Sequence, residues 1–117
     1  MDLKLTGKTA LITGASMGIG EHVAETLAAE GVHLHLTARS AEKLETLKAE
    51  IAKASDVSVT LHPLDLTSEG APDALAQAIC NVDILVNNAG AIPSGDLWDV
   101  DDAAWRKGFD LKVFGYI

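Results

Sequence analysis

Three glycines separate a short apolar strand from the helix that follows it, and this turn constrains the fold more than any other stretch. Apolar residues 9–13 predict the strand, and residues 20–30 predict the helix. Gly14 allows a tight turn, Gly18 allows backbone N–H groups to approach a ligand, and Gly20 allows the helix to pack on the sheet. Because the free amides and positive dipole of a helix N-terminus attract anions, this turn predicts a bound pyrophosphate, and hence a dinucleotide.

The glycine order is Gly-x-x-x-Gly-x-Gly, which differs from the common Gly-x-Gly-x-x-Gly fingerprint. Glycine triplets also occur in ordinary strand-to-helix turns that bind no ligand. The turn alone therefore does not distinguish a dinucleotide site from such a turn. Ser16 could bond a phosphate or simply close the turn. Met17 reads as a flexible apolar cover. The first part of the predicted site is the whole turn, Gly14, Ala15, Ser16, Met17, Gly18, Ile19 and Gly20.

Composition excludes several classes of function. A chain of 117 residues with 48% hydrophobic residues can bury the core of one domain at most. The net charge of -8 argues against a nucleic-acid partner, since no basic stripe offsets the acidic surface. Cys80 is the single cysteine, so neither a disulfide framework nor a thiolate metal site is expected. The N-terminus lacks a signal-peptide pattern and no run predicts a membrane span, so we expect a cytoplasmic protein with no membrane partner.

Strand-like and helix-like stretches alternate along the chain. Strands are predicted at 9–13, 32–37, 57–61 and 82–86. Two helices are predicted over 20–30 and from Pro72 to about Cys80. A further helix should begin after Ser40, which is a good N-cap, and a last one after Asp101 or Asp102 as its cap. This order predicts an α/β fold, a doubly wound parallel sheet with strand order three, two, one, four. The carboxyl ends of strands one and four would then flank the switch point at which ligands bind.

The residues after the second strand bear on the choice between NAD and NADP. A carboxylate there would bind the ribose 2′-hydroxyl of NAD and repel a 2′-phosphate. This chain has Thr37-Ala38-Arg39-Ser40 instead. Arg39 offers a fork of donors, and Ser40 adds a hydroxyl at a helix N-terminus. These residues favour NADP over NAD; the other reading makes Arg39 an ordinary surface arginine.

Two further loops should reach the same edge of the sheet. After the third strand, Asp65 could accept from the adenine amino group or serve as a turn residue, and Leu66 could lie along the ring. After the fourth strand, the amides of Asn87 and Asn88 could satisfy buried backbone groups, or form a plain Asn-rich turn. Ala89 and Gly90 keep bulk away from a ligand.

With these residues in place, the chain resembles the short-chain dehydrogenase/reductase family. The matching motifs are the glycine turn, Asp65-Leu66, and Asn87-Asn88-Ala89-Gly90 after an apolar strand. The resemblance covers essentially all of the chain. It implies a Rossmann fold that binds NADP and hydride transfer between nicotinamide and an alcohol or carbonyl carbon of a small-molecule substrate. It also implies a homo-oligomer, as is usual among similar proteins.

The resemblance places the catalytic residues outside this chain. The family's catalytic serine and Tyr-x-x-x-Lys pair lie further along, and Tyr116 cannot be that tyrosine because it is followed by Ile117 alone. We therefore expect residues 1–117 to be the N-terminal part of a single NAD(P)-binding Rossmann domain, with no catalytic residue of its own and inactive in isolation. Lys112 stands where most members have a helix asparagine that supports a proton-relay water.

Two other functions are compatible with parts of the pattern. The first is a non-catalytic dinucleotide sensor or scaffold on the same fold. The second is a methyltransferase of Rossmann type, although a phosphate-type turn and Arg39 suit adenosylmethionine poorly because it carries no phosphate. No metal site is expected: His33 and His35 alternate on one strand and would need a third ligand, and His22 and His62 are not spaced to supply one.

Overall fold

The computed structural model describes residues 3–79, 81–90, 101–103 and 106. Residues 102, 103 and 106 are helical, directly after Asp101, where the last helix was expected to begin. The other residues of the predicted last helix lie outside the described residues, as do Cys80, Lys112 and Tyr116. In the described part of the chain, no helix is both long enough and apolar enough to cross a membrane.

Four parallel strands form one sheet, and their order confirms the predicted doubly wound topology. The strands are β1 Thr9–Thr13, β2 His33–Ala38, β3 Val59–Pro63 and β4 Ile84–Val86. They lie in the order β3-β2-β1-β4. Thr13 is paired with Thr37, and Ile12 with Val86, so the carboxyl ends of three strands meet at one edge. This edge is where the predicted site should lie.

Helices cover the two faces of the sheet. The helices are α1 Gly18–Ala29, α2 Ala41–Ala54 and α3 Ala71–Ala78. Leu44, Leu47 and Ile51 form an apolar stripe along α2 and are buried with Leu34 and Leu36 of β2 against one face. Leu75 of α3 belongs to a second cluster, which includes Leu66 and packs against Leu11. Since Leu11 alternates with the buried residues Ala10 and Ile12, this cluster lies on the opposite face.

Three strands differ from their sequence-based ranges. β2 runs from His33 to Ala38 rather than over 32–37, and β3 begins at Val59 rather than 57. Two further differences have identifiable reasons. The third strand runs to Pro63 rather than ending at 61, because β3 lies at the sheet edge, where a proline without an N–H is tolerated.

The fourth strand begins at Ile84 rather than 82. The backbone N–H of Thr9 donates to the Asp83 carboxylate at 2.9 Å, so that group is not paired with a strand carbonyl. A side chain thus closes this end of the β1–β4 ladder.

Candidate cofactor-binding site

A cleft of about 560 Å³ lies at the carboxyl edge of the sheet. Four segments line it, one after each strand, and each carries residues that the sequence predicted. The lining residues are Gly14, Ser16, Met17, Thr37, Ala38, Arg39, Ser40, Lys43, Leu64, Asp65, Leu66, Asn88, Ala89 and Gly90. The structure therefore gathers the four predicted loops around one cavity.

The glycine turn is packed too closely for a side chain at two of its three glycines. A Cβ on Gly14, whose φ is +65°, would lie 2.9 Å from the Ala89 Cα. A Cβ on Gly20 would collide with the Gly14 carbonyl oxygen and lie 2.6 Å from the Asn88 Nδ2. Gly18 differs, since a Cβ there would meet open space, and glycine is favoured by its φ of +62°. The absence of side chains at Gly14 and Gly20 therefore allows β1, α1 and the loop after β4 to pack closely.

The first turn of α1 presents its amides without a side-chain cap. The helix begins at Gly18, and the preceding Met17 makes no capping hydrogen bond. Ser16 and Met17 line the cleft, whereas Ala15 is buried, with its N–H donating to the Thr37 carbonyl at 3.2 Å. Ile19 is 74% exposed and lies outside the lining. The turn thus offers N–H groups of α1 to an anion, which is the arrangement that binds phosphates at helix N-termini.

Asn88 connects the two central loops, and Asn87 does not take part. The backbone N–H groups of Asn88 and Ala89 both donate to the Thr13 hydroxyl at 2.9 Å. The side-chain amide of Asn88 donates to the Gly14 carbonyl at 3.2 Å. Of the two predicted amides, Asn88 therefore bridges the switch point, whereas Asn87 is exposed and outside the lining. Alternation along the chain separates them, because adjacent residues point in opposite directions.

The segment after β2 forms the cationic wall of the cleft. Arg39 and Ser40 both line it, as predicted. Ser40 is the N-cap of α2, and its hydroxyl oxygen accepts the Lys43 N–H at 3.3 Å. Lys43 also lines the cleft and was missed in the sequence. Its signal was available, since a residue three positions after an N-cap lies on the first turn beside the cap.

The segment after β3 supplies an acidic turn and apolar surface. The Asp65 Oδ1 accepts from the Thr67 N–H at 2.9 Å and from the Thr67 hydroxyl at 2.7 Å. Asp65 therefore adopts the turn role that was one of its two readings, while still lining the cleft. Leu66 is buried, and Leu64 joins it in the lining. Together they give the cleft one apolar wall.

One histidine pair forms across neighbouring strands. Nδ1 of His35 lies 2.9 Å from Nε2 of His62, the residue whose spacing was judged unsuitable for a third metal ligand. The β2–β3 register pairs Thr37 with His62 and brings the two rings together across the strands. Burial lowers the pKa of both imidazoles, and the charge of His35 lowers that of His62 further. Within the described ranges, no group of three or more histidine, cysteine or acidic residues could hold a metal ion.

A parallel sheet in this order, with a tight glycine turn before an uncapped helix start, defines a protein of the dinucleotide-binding doubly wound class. The chain belongs to the short-chain dehydrogenase family, whose model matches residues 8–117. It is 37% identical over 115 residues to an uncharacterized oxidoreductase, YvaG, of Bacillus subtilis, a match that covers 97% of this chain and 43% of that protein.

Solved structures give the same result. The L-sorbose reductase of Gluconobacter frateurii, complexed with NADPH and L-sorbose, is 31% identical with a TM-score of 0.85, covering 99% of this chain and 46% of that one. A metagenomic short-chain oxidoreductase in complex with NADP is 34% identical with a TM-score of 0.85, covering 95% and 52%. The chain thus spans about half the length of these relatives.

Proposed function

We propose that this chain is the NADP(H)-binding part of a short-chain oxidoreductase that transfers hydride between nicotinamide and an alcohol or carbonyl carbon of a small molecule. The observation that carries the proposal is the cleft itself, in which the glycine turn and the cationic segment after β2 line one cavity. Solved neighbours that bind NADPH or NADP support the choice of cofactor.

The residues present fit such a cofactor. Gly14 and Gly20 leave a turn that any Cβ would fill, and the amides at the start of α1 suit a diphosphate. Arg39 would bind the 2′-phosphate through its fork of donors, with the Ser40 hydroxyl beside it. Leu66 would lie against the adenine ring, with Asp65 at its edge.

The hydride chemistry is supplied by the nicotinamide when it is bound, and this chain contributes binding and orientation. Ala89 and Gly90 line the cleft beside the glycine turn with little side-chain bulk. The hydrogen bond from the Asn88 side chain to the Gly14 carbonyl holds the loop after β4 against the glycine turn. Proton transfer is expected from the serine and the tyrosine–lysine pair that the family places further along the sequence.

The proposal is tested by titrating the purified full-length protein separately with NADPH, NADH and S-adenosylmethionine in a calorimeter. We expect NADPH to bind most tightly. Arg39→Gln should weaken NADPH by about tenfold, as expected for loss of a charge-assisted hydrogen bond, and leave NADH unchanged. Lys48→Gln, an exposed site on α2 outside the cleft, is the matched control. Equal or tighter binding of NADH would contradict the role given to Arg39.

A second measurement separates the enzyme from a sensor. Turnover of NADPH with a panel of aldehydes and ketones, or of NADP with alcohols, would support the oxidoreductase. Tight NADPH binding without turnover of any member, in a protein whose full sequence lacks the serine and the tyrosine–lysine pair, would favour a non-catalytic sensor.

A further inference from the structure

We propose that Lys43 is a second cation for the 2′-phosphate, so that preference for NADP(H) is set jointly by Arg39 and Lys43 with the Ser40 hydroxyl between them. This inference rests on the proposed function above and extends it to a residue that the sequence pattern did not single out. Three observations carry it: the place of Lys43 in the cleft, its place in its helix, and its charge environment.

Lys43 lines the cleft together with Arg39 and Ser40, and all three belong to the segment that follows β2. Its backbone N–H donates to the Ser40 hydroxyl oxygen at 3.3 Å, which fixes the start of the helix beside the Arg39 segment. Because the Ser40 oxygen accepts that bond, its own proton is available to donate to a phosphate oxygen. This segment therefore carries two cationic side chains and a hydroxyl donor close together along the chain.

The position of Lys43 in α2 is unfavourable for a cation. It is the third residue of a helix that begins at Ala41, where the positive end of the helix dipole disfavours positive charge. Three residues after a serine N-cap, a glutamate would close a capping box, yet the acidic residue of this turn is Glu42. A side chain that conflicts with local helix energetics is expected where function requires it.

Among the described residues, neither Arg39 nor Lys43 forms an ion pair with a carboxylate. The ion pairs in the described part of the chain join His22 to Glu25, Lys53 to Glu50, and Arg106 to Asp102, and none includes Arg39 or Lys43. Asp65, the acidic residue in the cleft lining, is bonded within its own turn by Thr67. In a chain of net charge -8, two cations that line one cleft and lie outside the ion pairs of the described residues indicate a site for an anion.

The test compares Lys43→Gln with the matched control Lys48→Gln, using the full-length protein. We expect Lys43→Gln to raise the Kd for NADPH by about tenfold and to change the Kd for NADH by less than about twofold. Adenosine 2′,5′-bisphosphate and adenosine 5′-phosphate, which differ only in the 2′-phosphate, should show the same contrast. The dependence of NADPH affinity on salt should also become shallower.

Lys43→Glu separates binding from folding. The glutamate completes a capping box, so the melting temperature should stay the same or rise. The Kd for NADPH should nevertheless increase more than it does in Lys43→Gln. Lys43→Arg keeps the positive charge and should retain most of the wild-type preference for NADPH over NADH. Equal NADPH affinity in Lys43→Gln and Lys48→Gln, with Arg39→Gln still defective, would overturn the inference and leave the proposed function standing. Failure of the wild type to bind either dinucleotide would overturn both.

Discussion

The hydroxyl of Thr13, at the end of β1, accepts the backbone N–H of Asn88 at 2.9 Å. The same oxygen accepts the N–H of Ala89 and donates to the Val86 carbonyl at 3.3 Å. Thr13 is 4% exposed, and this one hydroxyl satisfies buried and partly buried backbone groups at the end of β4 and in the loop after it. The loop after β4 is therefore held against the glycine turn by a side chain of the neighbouring strand.

Thr13→Val should destabilise the protein markedly although it preserves shape. The buried N–H of Ala89 and the partly buried N–H of Asn88 lose their acceptor. Each unsatisfied buried group costs about 1–3 kcal/mol, so we expect the free energy of unfolding to fall by about 2–4 kcal/mol. Thr13→Ser keeps the hydroxyl and should lose less than half as much. Denaturant unfolding measures both changes. Thr26→Val is the control, because the Thr26 hydroxyl bonds only the His22 carbonyl of its own exposed helix turn; a comparable loss there would refute the argument.

Gly20→Ala should disturb both folding and cofactor binding. Its Cβ would press on the Gly14 carbonyl and on the Asn88 amide, which are the two groups that fix the cleft floor. Overpacking of this kind costs about 1–3 kcal/mol, and NADPH affinity should fall as well because Gly14 is displaced. Unfolding and NADPH titration provide the measurements. Gly70→Ala, at a φ of +77° with open space around it, should lose stability through backbone strain while binding NADPH normally.

The strand order and the four loops of the site follow from the sequence, because alternating apolar strands and helices permit few parallel arrangements. The sequence carries only a partial signal for Lys43: three residues after the Ser40 N-cap, it lies on the first turn of α2. Whether its side chain borders the cleft depends on the angle at which that helix leaves Ser40.

The sequence could not reveal the pairing of His35 with His62. That contact depends on the register between β2 and β3, which pairs Thr37 with His62. In the same register Ala38 is paired with Pro63, where the third strand ends.

The histidine pair should make stability depend on pH. Burial lowers the folded-state pKa of both His35 and His62 below the ordinary value of 6.5, so the unfolded chain binds protons more readily. Their contribution is therefore complete above pH 6.5 and is lost as the pH falls from 6.5 towards the folded-state pKa values. Only one proton fits between Nδ1 and Nε2 at 2.9 Å, so a doubly protonated pair loses this hydrogen bond.

The double variant His35→Gln/His62→Gln should flatten that dependence. We expect the loss of unfolding free energy between pH 7.5 and pH 5, about the span in which an ordinary histidine titrates, to be smaller than in the wild type. Thr60→Gln, a substitution of a group that does not titrate at an exposed position of β3, is the control and should keep the wild-type slope. An unchanged slope in the double variant would show that other groups govern the acid response.

Asp65 has two possible roles, as an acceptor for the adenine amino group and as a turn residue. A change in the base of the cofactor distinguishes them. If its carboxylate accepts from the adenine amino group, the wild type should bind NADPH more tightly than its hypoxanthine analogue, which lacks that amino group, by about three- to tenfold for one hydrogen bond. We expect Asp65→Ala to abolish this preference.

Thr67→Val removes the hydroxyl bond to Oδ1 but keeps the carboxylate, so it should retain the preference even if the turn loosens. Calorimetric titration of both cofactors measures the ratio. Equal weakening of the two by Asp65→Ala, with the wild-type ratio preserved, would assign Asp65 to the turn alone.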